Sequence, residues 1–159
     1  MRTMYKITEK QSPCQTVLCI RRRGPYRLIA GMIPELCCYA EDKGLDIIGP
    51  PMFICHEMTP EEAMKADENE CADVEVVIPI SGPTEENEEI TCYEIPSETM
   101  ACVIHRGPYD SVTPAYEALF AWIADNGKEI TGPIREIYLN DPEEVQPEEI
   151  LTQICIPVR

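Results

Sequence analysis

Cys19-Ile20-Arg21-Arg22-Arg23-Gly24-Pro25-Tyr26 returns later in the chain as Cys102-Val103-Ile104-His105-Arg106-Gly107-Pro108-Tyr109. The two stretches share Cys, Arg, Gly, Pro and Tyr at one offset of 83 (23 to 106). The same offset carries Leu36 to Leu119, Gly44 to Gly127, Ile47 to Ile130, and Gly49-Pro50 to Gly132-Pro133. One ungapped register from Cys19 to Pro50 is hard to ascribe to chance. A later pair, Ile78-Pro79 and Ile156-Pro157, matches at an offset of 78. Self-similarity on this scale decides architecture before any local reading does. It predicts a first copy over about residues 1–80, a linker over 81–89 and a second copy over about 90–159.

Each copy reads alike. An apolar run, Thr16 to Arg22 and then Thr99 to His105, suits a buried strand. Gly-Pro punctuates a turn. A helix follows: Tyr116, Leu119, Phe120 and Ile123 fall at i, i+3, i+4 and i+7. Pro114 sits in its first turn, where a missing N–H costs nothing. Gly127 stands just past its end, where a positive φ is favoured. In the first copy, Leu36, Tyr39 and Ala40 form the stripe before Gly44, and Pro34 predicts a helix that starts late or bends. Strands are expected after each Gly-Pro (Met52 to His56, Arg135 to Leu139), at the end of each copy (Val74 to Ile80, Leu151 to Val158) and at its opening (Met4 to Glu9, Ile90 to Ile95). Residues 59–73 read as an acidic loop with a helical turn at Glu61 to Lys65. The expected fold is α+β. Two tandem, pseudo-twofold-related strand–strand–helix–strand–strand units form a mainly antiparallel sheet, with two main helices and a central groove. Such internal grooves are where small ligands tend to bind.

Composition narrows the function. Hydrophobic residues make up 44% of the 159, enough for a core. No apolar run approaches the ~20 residues that cross a bilayer, and the N-terminus lacks the apolar stretch of a signal peptide. A cytoplasmic location and no membrane partner are expected. Thirteen basic against 29 acidic residues leave a net charge of −16, which disfavours direct nucleic-acid binding. Nine cysteines include no C-x-x-C pair. They read as small buried hydrophobes in a reducing compartment. His56 and His105 stand alone in sequence, so no metal and no cofactor are expected.

In the strand Ile134-Arg135-Glu136-Ile137-Tyr138-Leu139, alternate side chains share a face. Glu136 and Tyr138 therefore point one way, opposite Arg135, Ile137 and Leu139. The pattern alone favours exposure of Glu136, since a lone glutamate is rarely buried.

The second copy also resembles the GyrI-like small-molecule-binding domains. These include AraC-type effector-binding domains, multidrug-sensing domains of MerR-type regulators and gyrase inhibitory proteins. His105-Arg106-Gly107-Pro108-Tyr109, Tyr116 through Ile123, Gly127, Gly132-Pro133, Arg135-Glu136-Ile137-Tyr138 and Asp141-Pro142 carry the likeness. It implies a central pocket with one acid, matched here by Glu136, ringed by aromatics. Tyr138, Trp122, Tyr116, Tyr109 and Tyr26 are the candidate ring residues. Phe53 takes the Glu136 position in the first copy, so the pocket is expected to be asymmetric. The implied ligand is a small hydrophobic or cationic organic compound, such as an aromatic cation. A second reading is a hydrolase of strained, cyclopropane-bearing electrophiles, with Glu136 and Tyr138 catalytic. A third is a protein-interaction module with a regulator or a topoisomerase as partner. The helix-turn-helix that precedes this domain in family regulators has no room here, because the first copy begins almost at Met1.

Overall fold

A computed structural model describes residues 5–57 and 59–159. Along the chain run β1 (Thr8–Gln11), β2 (Gln15–Gly24), α1 (Ile29–Asp42), β3 (Met52–Cys55), α2 (Pro60–Glu68), β4 (Ala72–Pro79), β5 (Ile90–Ile95), β6 (Thr99–Arg106), α3 (Thr113–Asp125), β7 (Ile134–Tyr138) and β8 (Leu151–Pro157). The mixture is α+β, as the sequence predicts, and the strand pairings given below are antiparallel. Among the described residues, no helix is long and apolar enough to cross a membrane.

The chain divides into two compact units. The unit of residues 14–96 orders its strands β3-β4-β2-β5. The other, residues up to Pro13 with Ser97–Arg159, orders them β1-β6-β8-β7. Their registers coincide at the offsets seen in the sequence. Cys19 faces Val77, and Cys102 faces Cys155. Met52 faces Val77, and Arg135 faces Cys155. Lone bridges join Ile47 to Ile80 and Ile130 to Val158. The opening strands cross over. Thr8 of β1 faces Cys102, and Thr91 of β5 faces Cys19. Hydrogen bonds pin the turn at β1: Ser12 N–H donates to the Glu98 carbonyl at 2.7 Å, and the Ser97 hydroxyl donates to the Ser12 carbonyl at 2.6 Å. Met4, where the opening strand was expected to begin, lies outside the described residues.

Both main helices end alike. Gly44 and Gly127 have φ of +68° and +63°. Leu45 N–H reaches the Ala40 carbonyl, and Lys128 N–H reaches that of Ile123. Each is the six-to-one bond of a Schellman cap, which wants glycine at the left-handed position. Pro114 sits in the first turn of α3 as expected. Two local expectations are corrected. α1 begins at Ile29 and runs through Pro34 instead of starting late. Residues 60–68 form a nine-residue helix, not a single turn. Thr59 caps it by accepting from Glu62 N–H at 3.1 Å, and Pro60 fills a position that needs no donor.

In the unit built on β6–β8, Ala115, Leu119 and Ile123 of α3 pack on Ala101 and Val103 of β6 and Ile154 and Ile156 of β8. Alternation turns Met100 and Cys102 to the opposite face, with Cys155 and Ile137. Truncating Leu119 to Ala there would cost about 2–5 kcal/mol.

Candidate ligand-binding site

Ile134 of β7 packs against the α3 cluster. Glu136, two positions on, shares its face and is carried toward the same helix. It is only 2% exposed, which corrects the exposure its strand pattern favoured. Three phenols converge on it. Tyr116, from the second turn of α3, donates to Oε2. Tyr109 donates to the same oxygen at 2.5 Å. Tyr138 donates to Oε1 at 3.1 Å from the same strand. The Tyr116 ring stacks on Phe120 with centroids 6.4 Å apart.

Tyr109 is held by the turn that precedes it. Gly107 adopts φ +124°, a conformation side chains rarely take. The Pro108 carbonyl accepts from His105 Nε2 at 3.0 Å and from the Ser111 hydroxyl at 2.9 Å. A carbonyl only accepts, so Nε2 carries the proton and Nδ1 accepts from the Tyr5 hydroxyl at 3.2 Å. His105 is thus a buried structural pin. Tyr109 itself stays 48% exposed, so the cluster reaches the surface through it.

Burial pushes the Glu136 carboxyl above the ordinary range, and the three phenol hydrogen bonds only partly oppose this. Among the described residues Glu136 makes no ion pair. The site is a buried carboxyl group met by neutral phenol donors.

The other candidate ring residues go elsewhere. Trp122 packs against the apolar cluster under α3. In the unit of residues 14–96, Tyr26 meets Phe53 edge-on at 5.5 Å, and its hydroxyl donates to Glu57. Phe53 itself is buried. Of the face opposite Glu136, Arg135 is 6% exposed and reaches Glu98 at 2.9 Å.

Sequence reasoning missed a second buried acid. Glu75 of β4 receives His56 Nε2 at 2.6 Å on Oε1, and Tyr93 at 2.5 Å and Cys19 at 3.2 Å on Oε2. Burial raises its pKa, but these donors outweigh it and hold the carboxyl below its usual range. Burial and the Glu75 charge push the Cys19 thiol up to about 12, so it is no nucleophile. The signal was there: one acid inside Val74-Glu75-Val76-Val77, a strand buried on both faces. Glu75 has His56 beside it, and among the described residues Glu136 has no such group. A surface depression of about 330 Å³, lined by Lys6, Thr8, Cys102, Ile104, Arg106 and Gln153 among others, lies away from both acids. Among the described residues no three His, Cys, Asp or Glu side chains gather into a metal-holding group.

An α+β fold that buries an acid among phenols, without a counter-charge among the described residues, has the makings of a receptor for small molecules. The chain belongs to the GyrI-like small molecule binding domain family, whose model matches residues 5–159. It is similar to the crystal structure of the EcmrR C-terminal domain, at 27% identity over 99% of both chains and a TM-score of 0.87. It is also similar to EcmrR in a cryo-EM complex with DNA, at 27% identity and a TM-score of 0.85; 98% of this chain covers 57% of that one. SAV2435 bound to tetraphenylphosphonium shares the fold, with 15% identity over 99% of this chain and 94% of that one, and a TM-score of 0.60. A search of curated proteins gives no match.

Proposed function

We propose that this small-molecule-binding domain takes a hydrophobic organic cation at Glu136, with Tyr109, Tyr116 and Tyr138 as its wall. One observation carries the reading: a carboxyl group 2% exposed has three phenol donors and, among the described residues, no positive partner. An uncompensated buried ion is costly, and a cation offsets that cost where a neutral compound does not. Ring faces add about 0.5–2 kcal/mol per cation–π contact. Tyr109, the most exposed of the three, is the side chain a ligand meets first. SAV2435, solved with tetraphenylphosphonium, supports the ligand class by analogy of fold. The coincident strand registers likewise support the proposal that residues 1–80 and 90–159 are two copies of one unit joined by 81–89.

The test is calorimetric titration with methyltriphenylphosphonium and with triphenylphosphine oxide, similar in bulk and different in charge. Preference for the cation, lost in Glu136→Gln, is the expected result. Equal affinity for the two compounds would overturn the charge-based reading.

A further inference from the structure

Cys102 of β6 and Cys155 of β8 stand directly opposite each other, with their sulfurs 2.7 Å apart. Both are free thiols, and both are 1% exposed. Directly opposed residues on antiparallel strands have Cα atoms about 4.5–5.5 Å apart. That spacing lies inside the roughly 4.4–6.8 Å range that a disulfide accepts. No other pair of cysteines in the described strands shares a register position: Cys19, at the matching place in the other unit, faces Val77. Cys102 also lines the surface depression described above, beside Thr8, Ile104 and Gln153. A small solute can approach there, though a bulky one cannot reach a thiol this buried.

We propose that Cys102 and Cys155 form a reversible oxidation site for small, uncharged peroxides such as hydrogen peroxide. The Cys102 sulfur attacks one peroxide oxygen, the O–O bond breaks, and water leaves with Cys102 as the sulfenic acid. The Cys155 sulfur then displaces the sulfenic oxygen as a second water. Two thiols lose two electrons and two protons, and the peroxide is reduced to two waters. The order follows from the surroundings. The hydrogen bond with Cys155, opposed by burial and helped by the charges of Lys10 and Arg135, leaves the Cys102 thiol easier to ionise than usual. The Cys155 thiol is held far above its usual range by the same hydrogen bond and by burial. Cys102, which lines the depression where Cys155 does not, is therefore the attacking sulfur and Cys155 the resolving one.

The test uses the whole protein. Exposed thiols are capped with N-ethylmaleimide under native conditions, and a few equivalents of hydrogen peroxide follow. Thiols still free are then labelled with iodoacetamide after denaturation, and the digest is mapped by mass spectrometry. A peptide pair linked through Cys102 and Cys155, lighter by two hydrogen atoms and separated by dithiothreitol, is expected, while Cys19 stays open to iodoacetamide. In Cys155→Ser, dimedone added as the oxidised protein is denatured should tag Cys102. Recovery of both cysteines carrying iodoacetamide, irreversible oxidation of Cys102 without a link, or a link from either one to a different cysteine would overturn the proposal. The wild-type map decides the matter whether or not the variant folds.

Discussion

Replacing Glu136 by Gln separates charge from shape, and the structure gives the two consequences opposite signs. In the free protein the carboxylate is buried with three phenol donors, and burial outweighs them, so its pKa is raised. A carboxyl whose folded pKa exceeds its unfolded value of about 4.3 keeps its proton longer in the folded state. Stability then falls as pH climbs from about 4.3 through the folded pKa, and above that window the full cost is present. Gln carries no charge at any pH and escapes the cost. Phenol bonds to the amide oxygen drop from a charge-assisted ~1.5–3 kcal/mol to a neutral ~0.5–1.5 kcal/mol, and a phenol beside the amide nitrogen must turn to accept from it. Against that loss of about 3 kcal/mol stands relief of a lone buried ion, worth several kcal/mol. The direction of the pKa shift says relief wins. Glu136→Gln should therefore match or exceed the parent in thermal midpoint at neutral pH, by about 2–4 °C for each kcal/mol regained in a domain of this size.

Ligand affinity should move the other way. A cation about 4 Å from the carboxylate, at an effective dielectric of about 20, gains roughly 4 kcal/mol. That is about a thousandfold in Kd before the cation's own desolvation is subtracted. Glu136→Gln should thus weaken methyltriphenylphosphonium by roughly 10- to 1000-fold and leave triphenylphosphine oxide nearly unchanged. Calorimetry reads the affinities and differential scanning reads the midpoint, on the same preparations. A variant that melts well below the parent yet binds the cation equally well would refute the reasoning, because Glu136 would then be holding the fold and not a ligand.

Tyr109→Phe removes the 2.5 Å donor to Glu136, so cation binding, which strengthens as Glu136 ionises, should need a higher pH to reach half its full strength; Tyr26→Phe, whose hydroxyl serves Glu57, should leave that midpoint in place. Titration across pH 4 to 9 reads both. Gly127→Ala places a Cβ at φ +63° and should cost about 1–2 kcal/mol, whereas Gly31→Ala, in open space within α1, should gain about 0.5–1 kcal/mol; their urea midpoints should move in opposite directions. A cyclopropane-bearing alkylating agent should be bound without turnover, and multiple turnovers abolished by Glu136→Gln would favour the hydrolase reading.

Most strands were legible because each is an apolar run closed by glycine, proline or charge. Val17 to Ile20 and Val103 announce burial without help from their partners. Gly44 and Gly127 likewise marked both helix ends, since a left-handed residue is a local demand. Partnership was not legible. A period of two tells which face a side chain takes, not which strand lies alongside, so nothing in Thr8–Gln11 says that it pairs with Thr99–Cys102. α2 reads in sequence as only a turn at Glu61 to Lys65 because its composition is acidic and its apolar stripe is weak; Thr59-Pro60-Glu61-Glu62, a cap and a first turn, is the better signal. The strand pattern alone favours exposure of Glu136 because it compares the residue only with Arg135, Ile137 and Leu139; the family resemblance, which implies a buried acid there, agrees with its 2% exposure. Ile134 shares its face and packs under α3, and both faces of β7 are covered: Arg135 is buried as well. The convergence of Tyr109 and Tyr116 on one oxygen comes from a turn and a helix twenty or more residues before the acid, which no local pattern records.

The same three phenols bear on what Glu136 does. A general base must accept a proton, and its power rises with its pKa. Burial moves Glu136 that way, but every hydrogen bond it accepts moves it back, and two of them meet on one oxygen. Protonation in a reaction would strip the charge that makes all three bonds strong, at the moment the site needs to lower a barrier. It would also turn at least one phenol from donor into acceptor. A bound cation makes no such demand: the carboxylate keeps its charge, the phenols keep their direction, and the missing positive partner arrives with the ligand. An acid built to exchange protons would more usefully sit beside a histidine, as Glu75 does in the other unit. Among the described residues Glu136 meets three phenol donors and no cation, and the proposed cation site rests on that arrangement.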